Sequence, residues 1–88
     1  MPAMDKPDGQ LLQDEILRRV RAAGVDKSIC PSEVARGLAE EWRPLMTPVR
    51  NAAIQLARAG QVQILRHGKP IADLDAVRGV IRLRIVEG

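Results

Sequence analysis

Apolar residues recur at Leu12, Ile16, Val20 and Ala23, the spacing of one helix face, and Leu17 widens the stripe. Asp14 to Arg18 and Glu15 to Arg19 add i,i+4 pairs in the favourable order, and Gly24 offers a left-handed cap that ends this first helix. Residues 1–9, with Pro2, Pro7 and Gly9, read as a flexible tail, and residues 10–86 as one folded domain. After a loop over Val25 to Ser28, Ile29 and Cys30 predict a short edge strand. Pro31 then suits the first turn of a second helix, where its missing N–H is no loss, and Glu33 sits against the positive end of the helix dipole. Val34, Ala35 and Leu38 form the buried face of that helix, which fades near Glu40 or Glu41 because Pro44 forbids its continuation.

Thr47-Pro48 repeats the start signal, a capping hydroxyl followed by proline. Val49, Ala52, Ala53 and Leu56 share one face of the third helix, residues 47–59, which stops at Gly60. Its opposite face carries Thr47, Asn51, Ile54, Gln55 and Arg58, with Arg50 on the flank. Val62 and Ile64 then alternate with Gln61 and Gln63, the period of a half-buried strand. His67-Gly68-Lys69-Pro70 is turn chemistry. Ile81, Leu83 and Ile85 alternate with Arg82 and Arg84, predicting a strand with one apolar and one basic face. Ile71 to Gly79 is too long for a tight turn and predicts a loop with a helical turn around Leu74 to Val77. The order predicts an α+β fold, a small winged helix-turn-helix. It has three helices followed by a β-hairpin wing (61–86), with a short first strand between helices one and two.

Composition narrows the chemistry. The 88 residues include one Trp, no Phe and no Tyr, so the core is aliphatic. One cysteine makes no internal disulfide, and one cysteine with one histidine cannot close a four-ligand zinc site. No cofactor and no metal are expected. No apolar run approaches the roughly 20 residues that span a bilayer, and the first ten residues have no apolar core of a leader. The sequence therefore predicts a cytoplasmic protein with no membrane partner. Net charge is +3, and its distribution is uneven. Residues 1–44 hold seven basic and eight acidic side chains, whereas residues 45–88 hold seven basic and three acidic. The positive field belongs to the second half.

The chain resembles a bacterial group of small winged-helix domains, a domain-of-unknown-function family numbered three-two-five-three. Ile29-Cys30-Pro31-Ser32-Glu33-Val34-Ala35-Arg36, Trp42-Arg43-Pro44-Leu45-Met46 with Val49-Arg50, and Ala59-Gly60 before Val62 carry the likeness. So do Gly68-Lys69-Pro70 and Arg78-Gly79 with Ile81-Arg82-Leu83. It covers Leu12 to Arg84 and departs at Val80, where the family pattern has proline. The resemblance implies a fold and no established activity.

In helix-turn-helix proteins the second helix of the pair enters the major groove. On the third helix here, Asn51 and Gln55 have the chemistry to read adenine, Arg50 and Arg58 to meet guanine or phosphate, and Ile54 to touch a thymine methyl. Thr47 lies at the helix start. Arg66, Lys69, Arg78, Arg82 and Arg84 give the hairpin a basic edge suited to phosphate, with Lys69, Arg82 and Arg84 the chosen candidates. Basic strand edges equally serve against sheet-to-sheet aggregation. Trp42 reads as a plug in the joint between helices two and three, with Arg43 and Arg50 both available to lie on its ring or to pair with Glu40 or Glu41. That leaves open whether Arg50 faces DNA or packs on Trp42. Cys30 reads as a small buried hydrophobe and His67 as a loop residue, and neither belongs to a catalytic constellation. The expected function is a non-enzymatic double-stranded DNA-binding module, a transcriptional regulator in type. The alternative is a winged helix that docks a protein partner or a second copy through Ile54, with no DNA. No small-molecule substrate is indicated by either.

Overall fold

Residues 9–86 are described by a computed structural model, in which helices pack on one face of a small antiparallel sheet. Helix α1 runs Gly9–Ala23, α2 Pro31–Leu38 and α3 Met46–Arg58; strand β1 is Val62–Arg66, β2 Lys69–Pro70 and β3 Arg82–Ile85. The architecture is α+β, three helices and a three-stranded sheet in the order β2-β1-β3. Gly9, assigned to the tail from sequence, opens α1. The rest of that tail lies outside the described residues.

The helical stripes read from sequence form the core. Leu12, Ile16 and Val20 of α1 meet Val34 and Ala35 of α2 and Val49, Ala52, Ala53 and Leu56 of α3. Val62 and Ile64 of β1, with Ile81 and Leu83, close this layer from the sheet side. Ile29 exchanges both backbone hydrogen bonds with Leu83, at 2.8 and 2.7 Å, so the predicted edge strand survives as a single bridge beside β3. This pairing ties the segment before α2 to the last strand.

Each helix end has a local cause. At the start of α2 the Cys30 N–H donates to Glu33 Oε2 at 2.7 Å, so Glu33 satisfies a donor that the first turn leaves unpaired. The helix stops at Leu38, short of the expected Glu40, because Ala39 turns to extended backbone at φ −160°. The α3 start departs from expectation more. A 3-10 turn over Arg43–Leu45, opened by the Leu45 N–H to the Trp42 carbonyl at 2.9 Å, runs into α3 at Met46. Thr47 is therefore inside the first turn and is no cap. Pro44 in the 3-10 turn and Pro48 in the first turn of α3 both occupy places where a missing N–H is tolerated.

At the other end, Gly60 adopts φ +78°. Gln61 donates to the Leu56 carbonyl at 2.9 Å and Gly60 to the Ala57 carbonyl at 3.0 Å. This is the Schellman arrangement, which satisfies the last carbonyls and turns the chain into β1. β1 then reverses through His67 and Gly68, both at positive φ, with Arg66 opposite Lys69. Such a two-residue turn matches the twist of a hairpin. The predicted helical turn in the long loop is a 3-10 turn at Leu74–Ala76, where Asp73 caps it by accepting from the Asp75 N–H at 3.0 Å.

On α1, the pairing differs in detail from the sequence spacing. Glu15 accepts from Arg18 and from Arg19, both at 2.6 Å, while Asp14 accepts from Gln10 at 2.9 Å. Asp14 and Arg18 do not pair because Arg18 lies nearer Glu15, one turn back. A Cβ on Gly37 of α2 would meet the Arg19 guanidinium, so that glycine leaves the space in which the end of the Arg19 side chain lies against α2.

Candidate nucleic-acid interface

The side chains of α3 divide around the helix into a core face, two flanks and an exposed strip between the flanks. Val49, Ala52, Ala53 and Leu56 face the core. On one flank, Pro48, Asn51 and Gln55 border an open groove of about 310 Å³ against Gly9 and Leu12 of α1. Gln55 is held there, its Oε1 accepting from Gln13 Nε2 at 2.7 Å. Its amide donors and the second lone pair of that oxygen remain, so adenine recognition by Gln55 is constrained in orientation by the Gln13 bond without requiring it to break.

The other flank is covered. Ile71, Leu74 and Val77 of the long loop join the core alongside the half-buried Ile54 and Ala57. Arg58 forms an ion pair with Asp75 of the same loop, and Arg50 Nη1 donates to the Gly79 carbonyl at 3.0 Å. Ile54 is thereby withdrawn from the outward face. Between the flanks, Thr47, Asn51 and Arg58 are exposed, and the Thr47 and Asn51 side chains have no protein partner among the described residues.

The structure answers the open question over Arg50 and Trp42. Arg36 and Arg43 both lie over the Trp42 ring, their guanidinium carbons 4.6 and 4.8 Å from its centroid. Arg50 is elsewhere, on Gly79. Arg36 was not singled out from sequence, because it sits on α2 and reaches the ring only after the chain has left the helix.

Cations of the second half are divided between occupied and unoccupied. Arg82 donates to the Ser28 hydroxyl and carbonyl at 2.7 and 2.8 Å, and both Arg84 donors converge on Gln63 Oε1 at 3.2 and 2.5 Å. Those two arginines fasten the outer face of the sheet. The side chains of Arg66, Lys69 and Arg78 have no hydrogen-bond or ion-pair partner among the described residues. Cys30 lies half-buried with its Sγ 3.0 Å from the Ser32 Oγ. Glu15 is held below its ordinary pKa by hydrogen bonds and charge attraction from Arg18 and Arg19 against the opposing effect of burial.

A small α+β domain with a three-helix layer, an antiparallel hairpin and one polar helix face is thus the class of protein in hand. The chain belongs to the family described as "Protein of unknown function (DUF3253)", whose model matches residues 9–86. Among curated proteins none matches it. No helix among the described residues is long and apolar enough to cross a membrane.

Proposed function

We propose that the chain is a winged-helix module that binds double-stranded DNA in the cytoplasm as a transcriptional regulator, with no enzymatic activity and no cofactor. In it α3 is the recognition helix and the hairpin with its long loop is the wing. The carrying observation is the outward face of α3, where Thr47, Asn51 and Arg58 are exposed and Thr47 and Asn51 keep their polar groups unpaired among the described residues. A helix face with unpaired donors and acceptors near its N-terminus is what major-groove readout requires. Asn51 is the strongest base reader, since its amide offers both a donor and an acceptor. Arg58 meets a guanine or a phosphate by exchanging its bond to Asp75.

Docking of a protein partner or a second copy is the alternative, but its intended anchor, Ile54, is half-buried against the core. The large apolar residues that are exposed, Leu11, Val25 and Val80, belong to three separate segments and make no single patch on α3. DNA binding is therefore the better-supported function.

Substituting Asn51→Ala tests it. At a selected duplex the change is expected to cost about 1 to 3 kcal/mol and to relax preference at one base pair, leaving affinity for unrelated duplex nearly unchanged. An equal loss on every sequence, or none, would count against base reading by Asn51.

A further inference from the structure

We propose a phosphate-binding site at the hairpin tip, formed by Arg66 and Lys69 with Arg50 beside them. Arg66 and Lys69 are direct cross-strand partners and so project from the same face of the sheet. Two positive charges set opposite each other repel, and a sheet gains nothing from them unless a negative group lies between. Neither has a carboxylate partner among the described residues.

Strand periodicity puts Arg66 on the same face as Val62 and Ile64, the face that packs on the helices. From there its Nη2 comes within 4.0 Å of the Cβ position of Gly79, whose carbonyl is the acceptor for Arg50. Two guanidinium groups from different elements thus approach one glycine, and Lys69 lies across from one of them. The carboxylates of the neighbouring loop are committed elsewhere, Asp75 to Arg58 and Asp73 to the Asp75 N–H. The result is a pole of positive charge with no internal counterion.

Its openness indicates the source of the phosphate. Arg66 and Lys69 are both exposed to solvent. A free phosphate gains little from cations that leave most of it in water, whereas a nucleic-acid backbone presents successive phosphates to successive cations. A duplex backbone is therefore the assigned occupant, which extends the DNA-binding function proposed for α3 and rests on it. Of the basic hairpin residues read from sequence, phosphate contact therefore falls to the open Arg66 and Lys69 and not to Arg82 and Arg84, which are engaged on the outer sheet face.

The experiment compares wild type, R66A/K69A and the charge-matched control R21A/K27A in titrations of a mixed-sequence duplex over a range of salt. All three are first shown to melt alike. R66A/K69A is expected to lower the slope of log affinity against log salt by about 2, roughly one per lost phosphate contact, with the control unchanged. An unchanged slope in R66A/K69A, or an equal fall in the control, overturns the proposal. A second arm titrates inorganic tripolyphosphate and follows backbone amides by NMR. If wild type fails to bind duplex but His67, Gly68 and Gly79 shift with tripolyphosphate, and do not in R66A/K69A, the phosphate site stands with a free-phosphate source and the DNA function falls. No shift and no duplex binding overturn both.

Discussion

Trp42, the chain's single Trp in a sequence with no Phe or Tyr, carries two guanidinium groups over its ring at the joint of α2 and α3. Its plug role was legible in sequence from its position between two helices; the identity of the second arginine was not, because Arg36 and Trp42 are joined by no helical spacing. Trp42→Ala is expected to lower stability by about 2 kcal/mol, less than the roughly 3 to 5 of a fully buried aromatic, and urea unfolding will measure it. Glu15 offers a residue-scale test in pH. Its folded-state pKa is depressed by Arg18 and Arg19, so its contribution is present above the unfolded carboxylate value and is lost as pH falls through the lower folded value. Glu15→Gln should therefore melt below wild type at neutral pH, with the difference closing in acid. A gap that persists in acid would mean that the loss comes from packing and not from charge.

Among the elements, proline and glycine punctuation located the start of α2 at Pro31 and the stops of α1 and α3 to within a residue, whereas α2 stops at Leu38, short of the expected Glu40 or Glu41. Gly60 marks the end of α3 because only the left-handed conformation lets the last carbonyls be satisfied so compactly. Thr47-Pro48 imitated a capped helix start one residue after the first residue of α3, Met46, because the 3-10 turn around Pro44 had already aligned the chain for α3. The long loop was legible as a loop with a helical turn, but its packing over Ile54 and its ties to Arg58 and Gly79 were not. Contacts of this kind depend on where α3 and the sheet meet, which no local spacing encodes. Asp75→Asn releases Arg58 while leaving the loop's apolar anchors in place. Duplex binding is expected to tighten roughly two- to fivefold at low salt, the scale of an exposed ion pair, and Arg58→Ala to abolish that gain when the two are combined. Retention of the gain in the double variant would show that Asp75 acts by long-range repulsion and not through Arg58.

For the whole molecule, the aliphatic core and the element order followed from periodicity and punctuation except for β2, where Lys69-Pro70 reads as turn, and the family match covers residues 9–86. The uneven charge was also visible in sequence, but its chemical use depends on the fold. Folding divides seven similar cations into those that brace the sheet and loop and those left open around the hairpin tip. The central claim is that α3 and this tip meet a DNA duplex together. The most direct measurement is an NMR titration of the labelled chain with mixed-sequence duplex at low and moderate salt. The account predicts binding tighter than about 100 µM at low salt, weakening steeply as salt rises. Amide shifts should concentrate in residues 47–58 and 66–69. Affinity weaker than that limit, or shifts confined to other segments, would contradict it.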